Sequence, residues 1–146
     1  MLLSAKEIRD RVKTGNIVIE PFRGASIQPA SYDLSIKQGV RIPSKAMRLV
    51  ASLERVEMPF DVAGIIRTRS SYARKGLILG GGIVDPGFRG NLTLCLTNVS
   101  DEEIILEHGE RTVQMLFLLV RSPAETYEGK YQDSEGVVGS RLKNNH

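Results

Sequence analysis

The sequence predicts an all-β domain, a barrel or a sandwich, with one short helix ahead of it. Two observations carry that expectation. Tyr32, Leu34 and Ile36 alternate with Asp33, Ser35 and Lys37, the period of two that sets one strand face on a core. Short apolar runs then recur along the chain, and Gly, Pro, Asn and Ser separate them at fairly regular intervals.

The helix comes first. Ser4-Ala5-Lys6-Glu7 reads as a capping box, in which the Ser4 hydroxyl meets a free backbone N–H and Glu7 reaches back. Leu3 and Ile8 stand at the staple positions and Gly15 is placed to end the helix, so residues 5–14 are expected to be helical. Strands are expected at Ile17–Ile19, around Tyr32–Ile36, and at Val40–Ile42, Met47–Leu53 and Val62–Thr68. Further strands are expected at Leu77–Leu79, Asn91–Asn98, Glu103–Leu106 and Thr112–Val120. Asp85-Pro86-Gly87 has the chemistry of a turn, and His108-Gly109 fits a tight connection between the last two strands. From Glu125 to His146 the chain is polar with scattered glycines. That composition suits a mobile tail or a flap that orders over a ligand.

At 146 residues the chain suits one domain over residues 1–146, with the tail from about 125. No apolar run approaches the ~20 residues that cross a bilayer. Met1-Leu2-Leu3 passes at once to Ser4, Lys6 and Glu7, so no leader is expected. One cysteine cannot close an internal disulfide, and a cytoplasmic setting is expected. The net charge of +3 is small and spread out. The local cluster Arg67, Arg69, Arg74 and Lys75, interleaved with Ser70, Ser71 and Tyr72, suits an anionic ligand. One short basic run without aromatic platforms argues against nucleic acid.

Four segments carry a resemblance. They are Ile27-Gln28-Pro29-Ala30-Ser31-Tyr32-Asp33-Leu34, Arg69-Ser70-Ser71-Tyr72-Ala73-Arg74, Gly82-Ile83-Val84-Asp85-Pro86-Gly87-Phe88-Arg89-Gly90, and Gly109-Glu110-Arg111-Thr112-Val113-Gln114. With Gly129-Lys130-Tyr131-Gln132 and Gly136-Val137-Val138-Gly139-Ser140-Arg141 in the tail, they resemble the trimeric dUTPase and dCTP deaminase superfamily, closest overall to the deaminase branch. The resemblance implies a distorted jelly roll of the dUTPase-like β-clip type. It also implies a homotrimer, with active sites built at subunit interfaces.

By the same resemblance Arg69, Ser70, Ser71, Arg74 and Gln114 would bind the nucleotide's phosphates. Lys130 and Tyr131 would close the tail over it, and Asp33 would organise the site. The residues suit those roles, since hydroxyl, guanidinium and free backbone donors together make a phosphate cradle. Taken alone, Ser70-Ser71 reads as a helix cap, Arg74 as a solvated charge, Gln114 as a strand-start amide and Asp33 as an outward strand residue.

The superfamily divides over which atom water attacks. Hydrolysis of dUTP to dUMP and pyrophosphate needs a base that turns water onto the α-phosphorus, with Mg²⁺ carried on the triphosphate. Asp85 stands at the position of that base. Gly82, Ile83 and Val84 precede it, where glycine backbone lets main-chain amides approach a uracil ring. Deamination of dCTP needs a proton shuttle beside C4. The metal-free deaminases use a glutamate ten residues beyond the aspartate, and here that position is Cys95. A thiol, with a pKa near ~8.5 against ~4.3 for glutamate, does not reproduce that group. Cys95 alternates with Leu94 and Leu96, on the more polar face of its strand, and reads as a packing residue. Zinc deamination is not expected, because His108-Gly109-Glu110 is followed by no cysteine pair.

The expected activity is therefore dUTP hydrolysis. The alternatives are a dCTP deaminase, or bifunctional enzyme, with an unrecognised shuttle, and a catalytically silent nucleotide-binding regulator.

Overall fold

A computed structural model describes residues 1–123 and 125–142. The expected helix is α1, Ala5–Lys13. Its capping box is formed: Glu7 N donates to Ser4 Oγ at 3.3 Å and Ser4 N to Glu7 Oε2 at 2.8 Å. Leu3 and Ile8 are buried beside it, and Gly15 takes φ +76° as the chain turns away. Arg11 forks onto both oxygens of Asp61 at 3.0 and 2.9 Å, which ties the helix to the sheet below.

Among the described residues eleven strands follow, with a 3-10 turn at Gly24–Ser26 and a short helix, α2, at Ser70–Ala73. In chain order they are β1 (Val18–Glu20), β2 (Ile27–Gln28), β3 (Ser31–Ser35), β4 (Val40–Ile42), β5 (Met47–Glu57) and β6 (Val62–Thr68). Then come β7 (Leu77–Gly80), β8 (Ile83–Val84), β9 (Arg89–Asn98), β10 (Ile104–Leu106) and β11 (Arg111–Leu119). They form a sheet β2-β3-β11-β6-β8, a sheet β1-β5-β9-β7 and the pair β10-β4, every strand pairing antiparallel. Leu92, Leu94 and Leu96 of β9 share one buried cluster with Val113, Met115 and Phe117 of β11. Alternation along each strand thus supplies a two-sheet core, the jelly-roll arrangement expected.

Strand β5 runs past Leu53, where the sequence pattern ends. A bulge between Ala51 and Arg55 turns Glu54 inward, where its carboxylate accepts from Ser35 N at 3.1 and 2.9 Å. Ser52 Oγ donates to Glu54 O and accepts from Leu92 N, which braces the bulge against β9.

The polar segment 125–142 lies against β9. Tyr127 N donates to Pro86 O, Asp133 N to Arg89 O, and Asn91 N to Ser134 O. Two glycines make room for it. A Cβ on Gly87 would lie 2.6 Å from Thr126 Cβ, and one on Gly90 would lie 2.8 Å from both N and O of Ser134. Arg89 grips Asp133 through Nε and Nη2 at 2.9 and 2.7 Å, and Arg55 adds a third contact at 3.2 Å. These arginines, Arg89 foremost, hold the Asp133 carboxyl down to about 2. The rest of the segment, Lys143–His146, falls outside the described residues. Among the described residues no helix is long and apolar enough to cross a membrane.

Candidate active site

Asp85 opens the turn between β8 and β9. Phe88 N donates to its carbonyl at 3.2 Å and Gly87 takes φ +82°, so the carboxylate stands exposed at the mouth of a cavity of about 580 Å³. Cys95 lies on the same cavity wall. Its strand places Leu92, Leu94 and Leu96 in the core and leaves Thr93, Cys95 and Thr97 half-buried on the opposite face. Cys95 is therefore a cavity residue, and the packing role expected of it falls to its neighbours. Ile83 and Val84 form another side of the cavity, and Phe88 meets Tyr127 edge-on at 5.6 Å. Asp85 is the only carboxylate among the described residues that line it.

Gly82 does not line this cavity. It takes φ +108° and packs on β6, where a Cβ would come within 2.8 Å of Ile66 O. Its carbonyl accepts from Ile66 N at 2.7 Å. The glycine is needed for that close approach, while Ile83 and Val84 line the cavity itself.

The basic motif lies elsewhere. Asp33, Gln114 and Arg67 are directly paired across β3, β11 and β6, so their side chains share one sheet face. Asp33 does not point outward. It is fully buried, with Oδ2 3.2 Å from Arg69 Nε and 3.7 Å from Arg111 Nη1, while Oδ1 has no partner. Burial pushes its carboxyl up, with Arg69 and Arg111 pulling the other way. Arg69 also donates to Arg111 O at 2.8 Å and forms the N-cap of α2. Neither Ser70 nor Ser71 makes a side-chain cap bond; both are exposed, as is Arg74 at the other end of the turn. Tyr72 donates to Glu110, and burial together with that carboxylate pushes its hydroxyl up to about 12. Arg69, Ser71, Tyr72 and Lys75 border a separate open cleft.

One chain thus holds two groups of residues that do not meet. Val84 pairs with Gly64 near the start of β6, so the Asp85 turn follows at that end, while Arg69 comes after Thr68 at the other end. The seven residues of β6 span ~20 Å at ~3.3 Å per residue. The cleft and the cavity share no lining residue.

The tail joins the Asp85 group. Tyr131 lines the cavity, its N–H donates to Tyr127 Oη, and its own hydroxyl accepts from Arg141 N at 3.1 Å. Lys130 Nζ and the Arg141 guanidinium lie 6.0 and 5.8 Å from the Tyr131 ring centre, which sets two cations beside the cavity mouth.

A family model described as dCTP deaminase-like matches residues 2–47 and 35–120. The chain belongs to the dCTP deaminase-like family. It is 44% identical to the dCTP deaminase of Thermococcus kodakarensis over 143 residues, covering 87% of this chain and 92% of that one. It is 33% identical to the dUMP-forming dCTP deaminase of Aquifex aeolicus, covering 97% and 95%. Its fold matches the crystal structure of the Agrobacterium tumefaciens 2'-deoxycytidine 5'-triphosphate deaminase with TM-score 0.69 at 18% identity, over 80% of this chain and 47% of that one. It matches the EIAV dUTPase with TM-score 0.61 at 24% identity, over 78% and 92%. The fold is that of the dUTPase-like β-clip, and the family's members are enzymes of nucleotide metabolism.

Arg111 beside Asp33 and Arg141 beside Tyr131 lie inside the motif segments but had no role expected of them there. Asn91 and Thr93 share the polar face with Cys95, so the alternation along β9 is the signal that points to them.

Proposed function

We propose that this chain hydrolyses dUTP to dUMP and pyrophosphate. One observation carries the reading: the cavity that holds Asp85 presents a thiol at position 95, where the deaminase pattern has its glutamate. Asp85 takes a proton from water, the water oxygen forms a bond to the α-phosphorus, and the bond to the bridging oxygen breaks as pyrophosphate leaves. Ile83 and Val84 flank the base. Arg69, Ser70, Ser71, Arg74 and Gln114, with Arg111 beside them, neutralise the triphosphate, and Lys130 and Tyr131 close over it. Mg²⁺ enters as part of the substrate. Among the described residues no group of three or more His, Cys, Asp or Glu side chains is placed to hold a metal.

The placement of Asp85 and Arg69 at opposite ends of β6 supports a site shared between copies, in which one subunit supplies the base and its neighbour the phosphate cleft. A homotrimer is the assembly proposed. Replacing Asp85 by Asn tests the assignment: turnover should fall ~10³-fold or more while nucleotide affinity stays within a few-fold. Full turnover in the variant would remove Asp85 from the chemistry.

A second reading, deamination of dCTP, is favoured by the names of the relatives, among them one 44% identical. Asp85, the one carboxylate among the described residues that line the cavity, then shuttles a proton to the departing amine. Release of ammonia from dCTP distinguishes the two readings.

A further inference from the structure

The C-terminal segment meets β9 at its free edge and then over its face, and Asn91 is the junction. Strand β7 pairs with β9 only from Cys95 onward, so the edge at Gly90 and Asn91 is open to the tail. Ser134 takes it, in a parallel bridge to Gly90 with Asn91 N donating to Ser134 O at 2.8 Å. Beyond Ser134 the segment's next donors go to side chains. Gly136 N donates to Asn91 Oδ1 at 3.3 Å and Val138 N to Thr93 Oγ1 at 3.0 Å.

The other end of the Asn91 amide faces the β5 bulge. Nδ2 donates to Ser52 O at 3.1 Å and to Glu54 O at 3.2 Å. Both donors and the acceptor of one nearly buried amide are therefore in use, and in opposite directions. Asn91, Thr93, Ser134 and Val138 all line the cavity that holds Asp85 and Cys95.

We propose that Asn91 is a positioning residue for the reaction in the Asp85 cavity: its amide joins the β5 bulge to the C-terminal segment and fixes where residues 134–140 cross the cavity. This rests on the reading that the nucleotide binds in that cavity. Asn91 does not touch the reacting atoms. It sets the height and register of the segment that carries Tyr131 on one side and Ser140 on the other.

The test uses the full chain and two variants, Asn91→Ala and Thr93→Val, with hydrogen exchange at the Gly136 and Val138 amides and binding of the α,β-imido analogues of dUTP and dCTP. Asn91→Ala should speed exchange at Gly136 by about fivefold or more and weaken whichever analogue the wild type binds by a similar factor, the loss of one buried hydrogen bond. In turnover the loss should appear in KM, with kcat within about twofold. Thr93→Val removes only the contact to the segment and leaves the bulge intact, so it carries the test if Asn91→Ala unfolds. It should speed exchange at Val138 and weaken the same analogue at an unchanged melting temperature. Unchanged exchange at the tested amide, or faster exchange with unchanged affinity, overturns the proposal. A wild type that binds neither analogue overturns the nucleotide reading and the reaction role with it, while the exchange data still report whether Asn91 holds the C-terminal segment.

Discussion

Asp33 holds Arg69 from inside the fold: its Oδ2 lies 3.2 Å from Arg69 Nε, with the Asp33 side chain 1% exposed and the Arg69 side chain 30% exposed. A buried acid thus aims a half-exposed cation toward the cleft that borders Ser71 and Lys75. Asp33→Asn should keep the shape and lose the charge that orients both Arg69 and Arg111. The expected result is about tenfold weaker triphosphate binding, from the loss of the charge that orients the two guanidinium groups. Calorimetric titration with dUTP checks it, and unchanged affinity would make Asp33 purely structural.

Gly90 should be intolerant of any side chain. Its φ is +144°, and a Cβ would meet the Ser134 backbone, which has no flexible end to yield. Gly90→Ala should cost about 1–3 kcal/mol or displace the tail, with faster tryptic cleavage at Lys130 and Arg141. Gly15→Ala is the control, because φ +76° there faces open space and only backbone strain applies. Equal effects in the two variants would show that the tail does not pack on Gly90.

Glu54 gives the fold a pH dependence. Burial pushes its carboxyl up, against the bonds from Ser35, so the folded chain holds this proton more tightly than the unfolded chain. Its contribution to stability is then complete below the ordinary carboxyl value of ~4.3 and is lost as pH rises through the raised folded value. Glu54→Gln, which removes the charge and keeps the shape, should gain on the wild type in melting temperature between pH 4 and pH 8. A gap that moves the other way would show that the Ser35 bonds outweigh burial.

Cys95 decides between the two chemistries within one scaffold. Cys95→Glu places a carboxylate on the wall that Asp85 shares. The variant should begin to release ammonia from dCTP where the wild type releases none, and dUTP turnover should fall as a second negative charge enters the cavity. A folded variant without deaminase activity would show that more than this one group separates the branches.

Much of the fold was legible in the residues. The Ser4–Glu7 box and the Leu3–Ile8 pair marked α1, alternation marked β3 and β9, and apolar runs between turn residues marked β6 and β11, because all these patterns are local. What stayed hidden depends on contacts distant in sequence. The expected strand stopped at Leu53 because a buried Glu54 depends on Ser35 N, 19 residues away, to hold it. The tail looks unpacked by composition, since its anchors are Arg89, Arg55 and two glycines far upstream rather than apolar residues of its own. Asp85 and the Arg69 cluster were legible as motifs. Their separation along β6 was not, because it follows from strand register alone.

The most direct measurement follows both products from both nucleotides with the purified, Mg²⁺-supplied wild type: pyrophosphate and ammonia, from dUTP and from dCTP. Asp85 chemistry without a glutamate at position 95 should yield pyrophosphate from dUTP and no ammonia from dCTP. Ammonia released from dCTP at a rate comparable to dUTP turnover would contradict it and return the chain to the activity its relatives are named for.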